Sequence, residues 1–195
     1  VIALDFSKAF DTVRHHTLME KIAALPLPDC VYNWITCYIT GRKHCTKSQG
    51  KISAALPVNA SIVQGSALGP VAFIINTTDL KPLTSGNRLH KYADDTYLIV
   101  PSYNAHSTEA ELTHIGKWAK ENNLNLNTSK SLQMIVTRSQ RKATTITPPT
   151  LSGITRVSSL SILGVTIQQN LLMHEHVNNI VSAGGQALYA LKVLK

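Results

Sequence analysis

Cysteine is scarce in this chain. The three present, Cys30, Cys37 and Cys45, are an odd set with no C-x-x-C spacing, which argues against a disulfide framework and a zinc site. They read as reduced thiols of an intracellular protein. No apolar run is long enough to span a membrane, no signal peptide is visible and no internal repeat occurs. There is no initiator methionine either; the chain opens at Val1 inside a strand-like segment, so a fragment lacking its upstream portion is expected. Acidic residues are also few, 11 against 19 lysines and arginines, leaving a formal net charge of +8. That excess favours an anionic partner, with nucleic acid first among them, although a merely basic soluble protein shares the same balance. What is present is apolar: 44% of the 195 residues are hydrophobic, enough for one substantial core and too many for a disordered chain.

Hydrophobic spacing outlines the elements. Residues 1–6 are apolar except for Asp5 and read as a buried strand ending in an acid. Leu18, Ile22 and Leu25 give a helix over 16–25, stopped by Pro26 and Pro28. A second helix is expected over 31–39, with Trp34 and Tyr38 four apart and Gly41 beyond its end. Residues 42–60 read as a hairpin region. Residues 68–80 form an apolar helix that tolerates Pro70 in its first turn. Alternation over 88–100 predicts strand, tight turn at Asp94-Asp95, strand. Thr108 and Glu111 spell a T-x-x-E capping box for a helix carrying Leu112, Ile115 and Trp118. An Asn-rich end at 122–127, a strand over 131–137, and a basic Thr/Pro-rich loop over 138–150 follow. Residues 160–167 are β-like around Gly164, and 177–194 form a striped helix softened at Gly184-Gly185.

Three acids stand in otherwise apolar, β-rich surroundings. Asp5 closes the first strand, and Asp94 and Asp95 sit 89 and 90 residues further on. If the two strand systems are neighbours, their carboxylates converge, and converging carboxylates are costly unless protonated or bound to metal. Magnesium takes one or two carboxylates together with substrate phosphates, and a pair of such ions serves in-line phosphoryl transfer. An Asp-Asp pair is also ordinary turn chemistry, so the dipeptide alone leaves both readings open.

Order decides more than any single piece. Leu4-Asp5-Phe6-Ser7-Lys8-Ala9-Phe10-Asp11-Thr12-Val13, then Gln64-Gly65-Ser66-Ala67-Leu68-Gly69-Pro70, then Tyr92-Ala93-Asp94-Asp95 resembles the reverse transcriptases of non-LTR (LINE-type) retrotransposons. The resemblance runs on through Trp118, Leu126-Asn127, Lys130 and Leu163-Gly164-Val165-Thr166-Ile167. It implies an α+β polymerase-type palm, an antiparallel sheet with helices on one face. Residues 1–150 would be palm with partial fingers inserted at about 14–60, and residues 151–195 a primer-grip hairpin and the start of a thumb helix.

By the same resemblance, Asp5 and Asp94 would ligate two Mg²⁺ ions (Mn²⁺ as a substitute), with Asp95 beside them and the carbonyl of Phe6 completing one shell. Phe10 would lie under the nucleotide sugar and reject a 2′-hydroxyl, with Ala9 its small neighbour. Gln64 and Gly65 would line the incoming nucleotide, Lys130 would protonate the leaving pyrophosphate, and Leu163 and Gly164 would grip the primer. Arg42, Lys43, Lys47, Arg138, Arg141 and Lys142 are candidate phosphate contacts; singly, each also reads as a solvated surface charge.

The implied partners are an RNA template, a DNA primer, dNTP and the rest of the retrotransposon polyprotein, including fingers, thumb and an endonuclease domain. The implied place of action is the nucleus, and no membrane is involved. His174-Glu175-His176 is not read as a metal site, because residues two apart diverge on a helix. Departures occur at Val63, Ala67, Asn76, Thr78 and Gln168, and they keep open a second reading: an inactive relic that at most binds nucleic acid. An RNA-dependent RNA polymerase palm is a third, disfavoured by Phe10.

Overall fold

A computed structural model describes residues 1–63, 65–137 and 148–194. The chain divides into two compact units, one of Leu4–Asn127 and one of Val1–Ala3 with Thr128–Lys195. Strands β1 (Ile2–Ser7) and β8 (Asn125–Met134) each have residues in both.

In the larger unit, β1 is followed by a short helix α1 (Ala9–Thr12), then α2 (His15–Ala23) and α3 (Asp29–Ile39). Helix α2 buries Leu18 and Ile22, the stripe its sequence spacing predicts, and packs against α3 and α4 (Leu68–Asn76). Helix α3 spans the expected 31–39 and begins two residues earlier. Its core positions are Ile35 and Ile39, while Trp34 lies on the outer face. The hairpin region resolves into two nested ribbons, β2 (Lys43–His44) with β5 (Leu56–Pro57) and β3 (Lys47–Ser48) with β4 (Lys51–Ile52).

Strands β6 (Arg88–Tyr92) and β7 (Asp95–Ile99) form an antiparallel hairpin, with β7 beside β1. A 3₁₀ turn over Ser102–Ser107 then leads into α5 (Thr108–Glu121). The end of α5 is a Schellman motif. Asn123 takes φ 59°, the Leu124 N–H bonds the Ala119 carbonyl at 2.8 Å, and the Asn123 N–H bonds Lys120 at 3.2 Å. The expected capping box is absent. Thr108 Oγ1 donates back to the Ala105 carbonyl, and Glu111 is buried with other partners.

Two charged side chains tie this unit together. The Lys21 ammonium on α2 donates to Asp79 Oδ1 and Asn122 Oδ1, both at 2.8 Å, and so joins α2 to the segments after α4 and α5. Glu111 on α5, at 0% exposure, accepts from the N–H groups of Leu83 and Thr84 at 3.0 and 2.8 Å and from Asn87 Nδ2 at 2.8 Å. Burial alone would push this carboxyl up, but the three donors outweigh it and hold it below its ordinary range. The turn it clamps leads straight into β6.

In the smaller unit, β8 runs parallel to β9 (Thr155–Val157), and Val1 exchanges backbone bonds with Met134. Strand β8 starts six residues earlier than expected, because the Asn-rich segment is itself extended. Strands β10 (Ser159–Ile162) and β11 (Val165–Gln168) form a two-residue hairpin. Helix α6 (His174–Val193) is continuous through Gly184-Gly185, so the glycines do not break it. Two interior glycines weaken a 20-residue helix by about 1 kcal/mol each and do not oblige it to break. The basic loop at 138–147 lies outside the described residues. Among the described residues no helix is long and apolar enough to cross a membrane.

Candidate active site

Strand β1 alternates strictly in burial. Leu4 and Phe6 are buried at 4% and 7% exposure, and the Phe6 ring meets the Trp118 ring edge-on at 6.5 Å. A strand with Phe6 turned into the core must turn Asp5 to the opposite face, where it is half-exposed. The same rule acts on β7. Thr96 and Leu98 are inward at 3% and 0% exposure, leaving Asp95 and Tyr97 on the open side.

The hairpin turn sits one residue earlier than the sequence suggests. Tyr92 pairs with Asp95, so the two turn residues are Ala93 and Asp94, and Asp95 opens β7. Ala93 takes φ 53°, a left-handed conformation that a residue with a Cβ adopts at some cost. The hairpin is held from behind. Lys91 Nζ donates to the carbonyls of Thr77 and Leu80, and Glu111 clamps the approach to β6.

The three acids share one electrostatic field. Asp95 is pushed above the ordinary aspartate range by burial, then by the negative charge of Asp94, then by that of Asp5. Among the described residues no group of three His, Cys, Asp or Glu side chains is gathered to cage a metal by itself. A site completed by phosphate oxygens needs only one or two carboxylates, and Asp5 and Asp94 are carboxylates of the hard-oxygen type it would use. The repulsion felt at Asp95 is what a divalent cation there would relieve, so these residues fit magnesium.

Helix α1 carries Ala9 and Phe10 just beyond Asp5. Ala9 is buried at 3% exposure, while the half-exposed Phe10 ring stacks on Phe73 of α4, with centroids 4.9 Å apart and planes 22° from parallel. Such a stack adds about 1 kcal/mol to simple burial and fixes the ring's attitude. Phe73 went unnoticed in the sequence, where it is one apolar residue among many.

Gln64 lies outside the described residues. Its neighbour Gly65 is exposed at φ 79°, and apart from its adjoining residues nothing described lies within 4 Å of where a Cβ would stand. That open space admits a ligand close to the backbone. Gly69 plays another part: a Cβ there would stand 2.9 Å from the Val63 carbonyl oxygen, so only glycine lets α4 start this tightly. Ser66 Oγ closes the turn, donating to Val63 O at 2.7 Å and accepting from the Gly69 N–H at 3.0 Å.

The remaining candidates belong largely to the smaller unit. Lys130 is exposed on β8. Leu163 and Gly164 are the two turn residues of the β10–β11 hairpin, with φ 48° and 81°. Left-handed dihedrals at both positions favour Asn or Gly, and Leu163 holds one of them while 54% exposed. His176 Nδ1 accepts from the Thr166 N–H at 3.4 Å. Of the basic candidates in the larger unit, Lys43 and Lys47 are exposed on their ribbons, and Arg42 sits 5.3 Å from the Tyr38 ring centroid. Arg138, Arg141 and Lys142 lie outside the described residues.

An antiparallel hairpin bearing two acids, set beside a strand bearing a third and backed by helices, is the palm architecture of a nucleic-acid polymerase. The family model for reverse transcriptase (RNA-dependent DNA polymerase) matches residues 1–167, and the chain belongs to that family. Reverse transcriptases as a family depend on divalent metal and act on nucleic acid. Among curated relatives, the probable RNA-directed DNA polymerase from transposon X-element of Drosophila melanogaster is 28% identical over 190 residues, 91% of this chain and 20% of the relative. The RNA-directed DNA polymerase from mobile element jockey of the same species is 25% identical over 193 residues, 92% of this chain and 21% of the relative. The chain thus spans about a fifth of the length of these relatives. Telomerase from Candida tropicalis shares the fold, with a TM-score of 0.62 at 13% identity over 88% of this chain and 29% of the telomerase chain.

Proposed function

We propose that this chain is the catalytic palm of a retrotransposon reverse transcriptase, joining dNTP units to a DNA primer on an RNA template. The observation that supports it most directly is the shared field of Asp5, Asp94 and Asp95 on the open side of β1 and β7. Asp5 and Asp94 would hold two Mg²⁺ ions, with Asp95 beside them and the Phe6 carbonyl as a further oxygen donor. When bound, the divalent ions supply charge neutralisation for the triphosphate and lower the pKa of the primer 3′-hydroxyl.

The chain's own residues orient and select. The primer 3′-hydroxyl loses its proton to solvent and its oxygen bonds the α-phosphorus as the α–β phosphoanhydride bond breaks, while Lys130 gives a proton to the leaving pyrophosphate and is reprotonated from solvent. Phe10, propped on Phe73, occupies the space a ribose 2′-hydroxyl needs. Gln64 and Gly65 line the base and sugar, and the Leu163–Gly164 turn holds the primer backbone. Residues 1–150 serve as palm with partial fingers at about 14–60, and 151–195 as primer grip and first thumb helix. Fingers, thumb and an endonuclease of the polyprotein complete the machine.

The test is primer extension on RNA with dNTP and Mg²⁺, using this chain and the full reading frame, each with an Asp94→Ala partner. Extension that falls on the order of 10³-fold in Asp94→Ala supports the assignment. No extension in either parent, with the protein folded and RNA bound, overturns it in favour of an inactive relic. A dNTP to NTP incorporation ratio near one would instead mark an RNA polymerase.

A further inference from the structure

Helix α3 turns its most valuable apolar surface outward. Trp34 is 58% exposed, and its ring lies nearly parallel to that of Tyr38 one turn on, with centroids 5.8 Å apart and planes at 15°. Just past the helix end, beyond extended Thr40 and left-handed Gly41, the Arg42 guanidinium lies over the Tyr38 ring at 5.3 Å from its centroid. Trp34 and Arg42 thus both contact the Tyr38 ring, the first through helical i, i+4 spacing and the second from the segment after the helix. Arg42 also lines a groove of about 380 Å³, together with Lys43, His44, Asp11, Val58 and Val63. Asp11 follows Phe10 in α1, and Val63 stands two residues before Gly65, so two of the groove's lining residues adjoin proposed nucleotide-pocket residues along the chain. Between Asp29 and Asp79 the chain has no acidic residue at all, while Arg42, Lys43, Lys47 and Lys51 supply positive charge.

Exposed aromatic faces beside a run of cations that outnumber the one groove acid, Asp11, are the chemistry that binds unpaired nucleotides, by base stacking and phosphate attraction. A protein partner built to cover Trp34 has no use for the neighbouring run of positive charge. We propose that Trp34 and Tyr38 are a stacking platform for the unpaired RNA template strand, which the groove then leads toward the nucleotide pocket. This rests on the polymerase reading above.

Trp34 and Trp118 are the two tryptophans, and Trp118 is 7% exposed, so quenching of tryptophan fluorescence by a soluble ligand reports Trp34. The probes are a 12-nucleotide unpaired RNA and a blunt RNA–DNA duplex. The expected result is quenching by unpaired RNA in the parent and, by fluorescence anisotropy of a dye-labelled probe in every variant, an affinity about tenfold lower in Trp34→Leu and in Tyr38→Leu, rescue in Trp34→Phe, and unchanged duplex affinity. Asp94→Ala should keep the quenching while losing extension, so the platform and the catalytic reading fail separately. Unpaired-RNA affinity within twofold of the parent in Trp34→Leu would overturn the proposal. So would a concentration-dependent shift of Trp34 emission without RNA, which would assign the face to a second copy of the chain. Thermal melts of each variant check that the fold is intact, which 58% exposure of Trp34 leads one to expect.

Discussion

Replacing Glu111 tests whether a buried carboxylate holds the catalytic hairpin. The side chain has 0% exposure and accepts three hydrogen bonds of 2.8 to 3.0 Å from Leu83, Thr84 and Asn87. Hydrogen bonds to a charged group contribute about 1.5–3 kcal/mol each, without simple additivity. In Glu111→Ala all three donors lose their acceptor inside the protein, and the expected loss is about 4 kcal/mol, in the exceptional class for one substitution. Glu111→Gln keeps the shape but turns an amide N–H₂ toward a donor, for about 2 kcal/mol.

Urea denaturation should show the midpoint falling with an unchanged m-value. The pH dependence has a definite sign. The folded carboxyl is held below its ordinary value, so its stabilisation is full above the unfolded pKa of about 4.3 and is lost as pH falls through the folded value. The gap between parent and Glu111→Gln must therefore narrow on acidification below about pH 4.3. A Glu111→Gln midpoint equal to the parent's at pH 7, or a gap that widens toward low pH, would refute the clamp.

Three shorter predictions follow from the site. Asp95→Asn removes one charge from a repelling trio, so without metal the variant should melt slightly higher, by a few tenths of a kcal/mol for an exposed group, and Mg²⁺ should raise its melting temperature less than the parent's. Leu163→Asn relieves a left-handed leucine and should stabilise the β10–β11 hairpin by about 0.5–1 kcal/mol; if Leu163 grips primer, extension falls while the melting temperature rises. Phe10→Val should raise rNTP incorporation relative to dNTP, whereas Phe73→Ala should do so and also destabilise by about 3–5 kcal/mol, since Phe73 is 1% exposed. Unchanged sugar selection in Phe10→Val, measured by competitive incorporation, would return Phe10 to a packing role.

Elements whose stability comes from a local period were legible. Leu18 and Ile22 in α2, the alternation of β6 and β7, and the start of α5 at Thr108 were all readable from spacing. Proximity of Asp5 to the Asp94–Asp95 pair was also anticipated, because an acid in an apolar strand demands a reason. Turn position was less legible. Ala93 carries none of the usual chemistry for φ 53°, so sequence rules centred the turn on the adjacent acids instead. The same holds at Leu163, where a leucine occupies a position that turn rules assign to Asn or Gly.

Glu111 shows why a local motif can mislead about its own side chain. T-x-x-E located the helix start correctly, yet the cap requires Glu111 to reach back over its own first turn. Instead, Glu111 stands four residues before Ile115, on the stripe that continues to Trp118 and Ala119, and this stripe faces the core. A carboxylate placed there must find donors inside the protein, because water cannot follow it. Donors 24 to 28 residues away, at Asn87, Thr84 and Leu83, satisfied that demand better than one backbone N–H of the helix entry could. The spacing put Glu111 in a capping box, and its burial came to light only in the structure. What the spacing could not name was the turn before β6, because that partnership exists only once the chain has folded around the hairpin carrying Asp94.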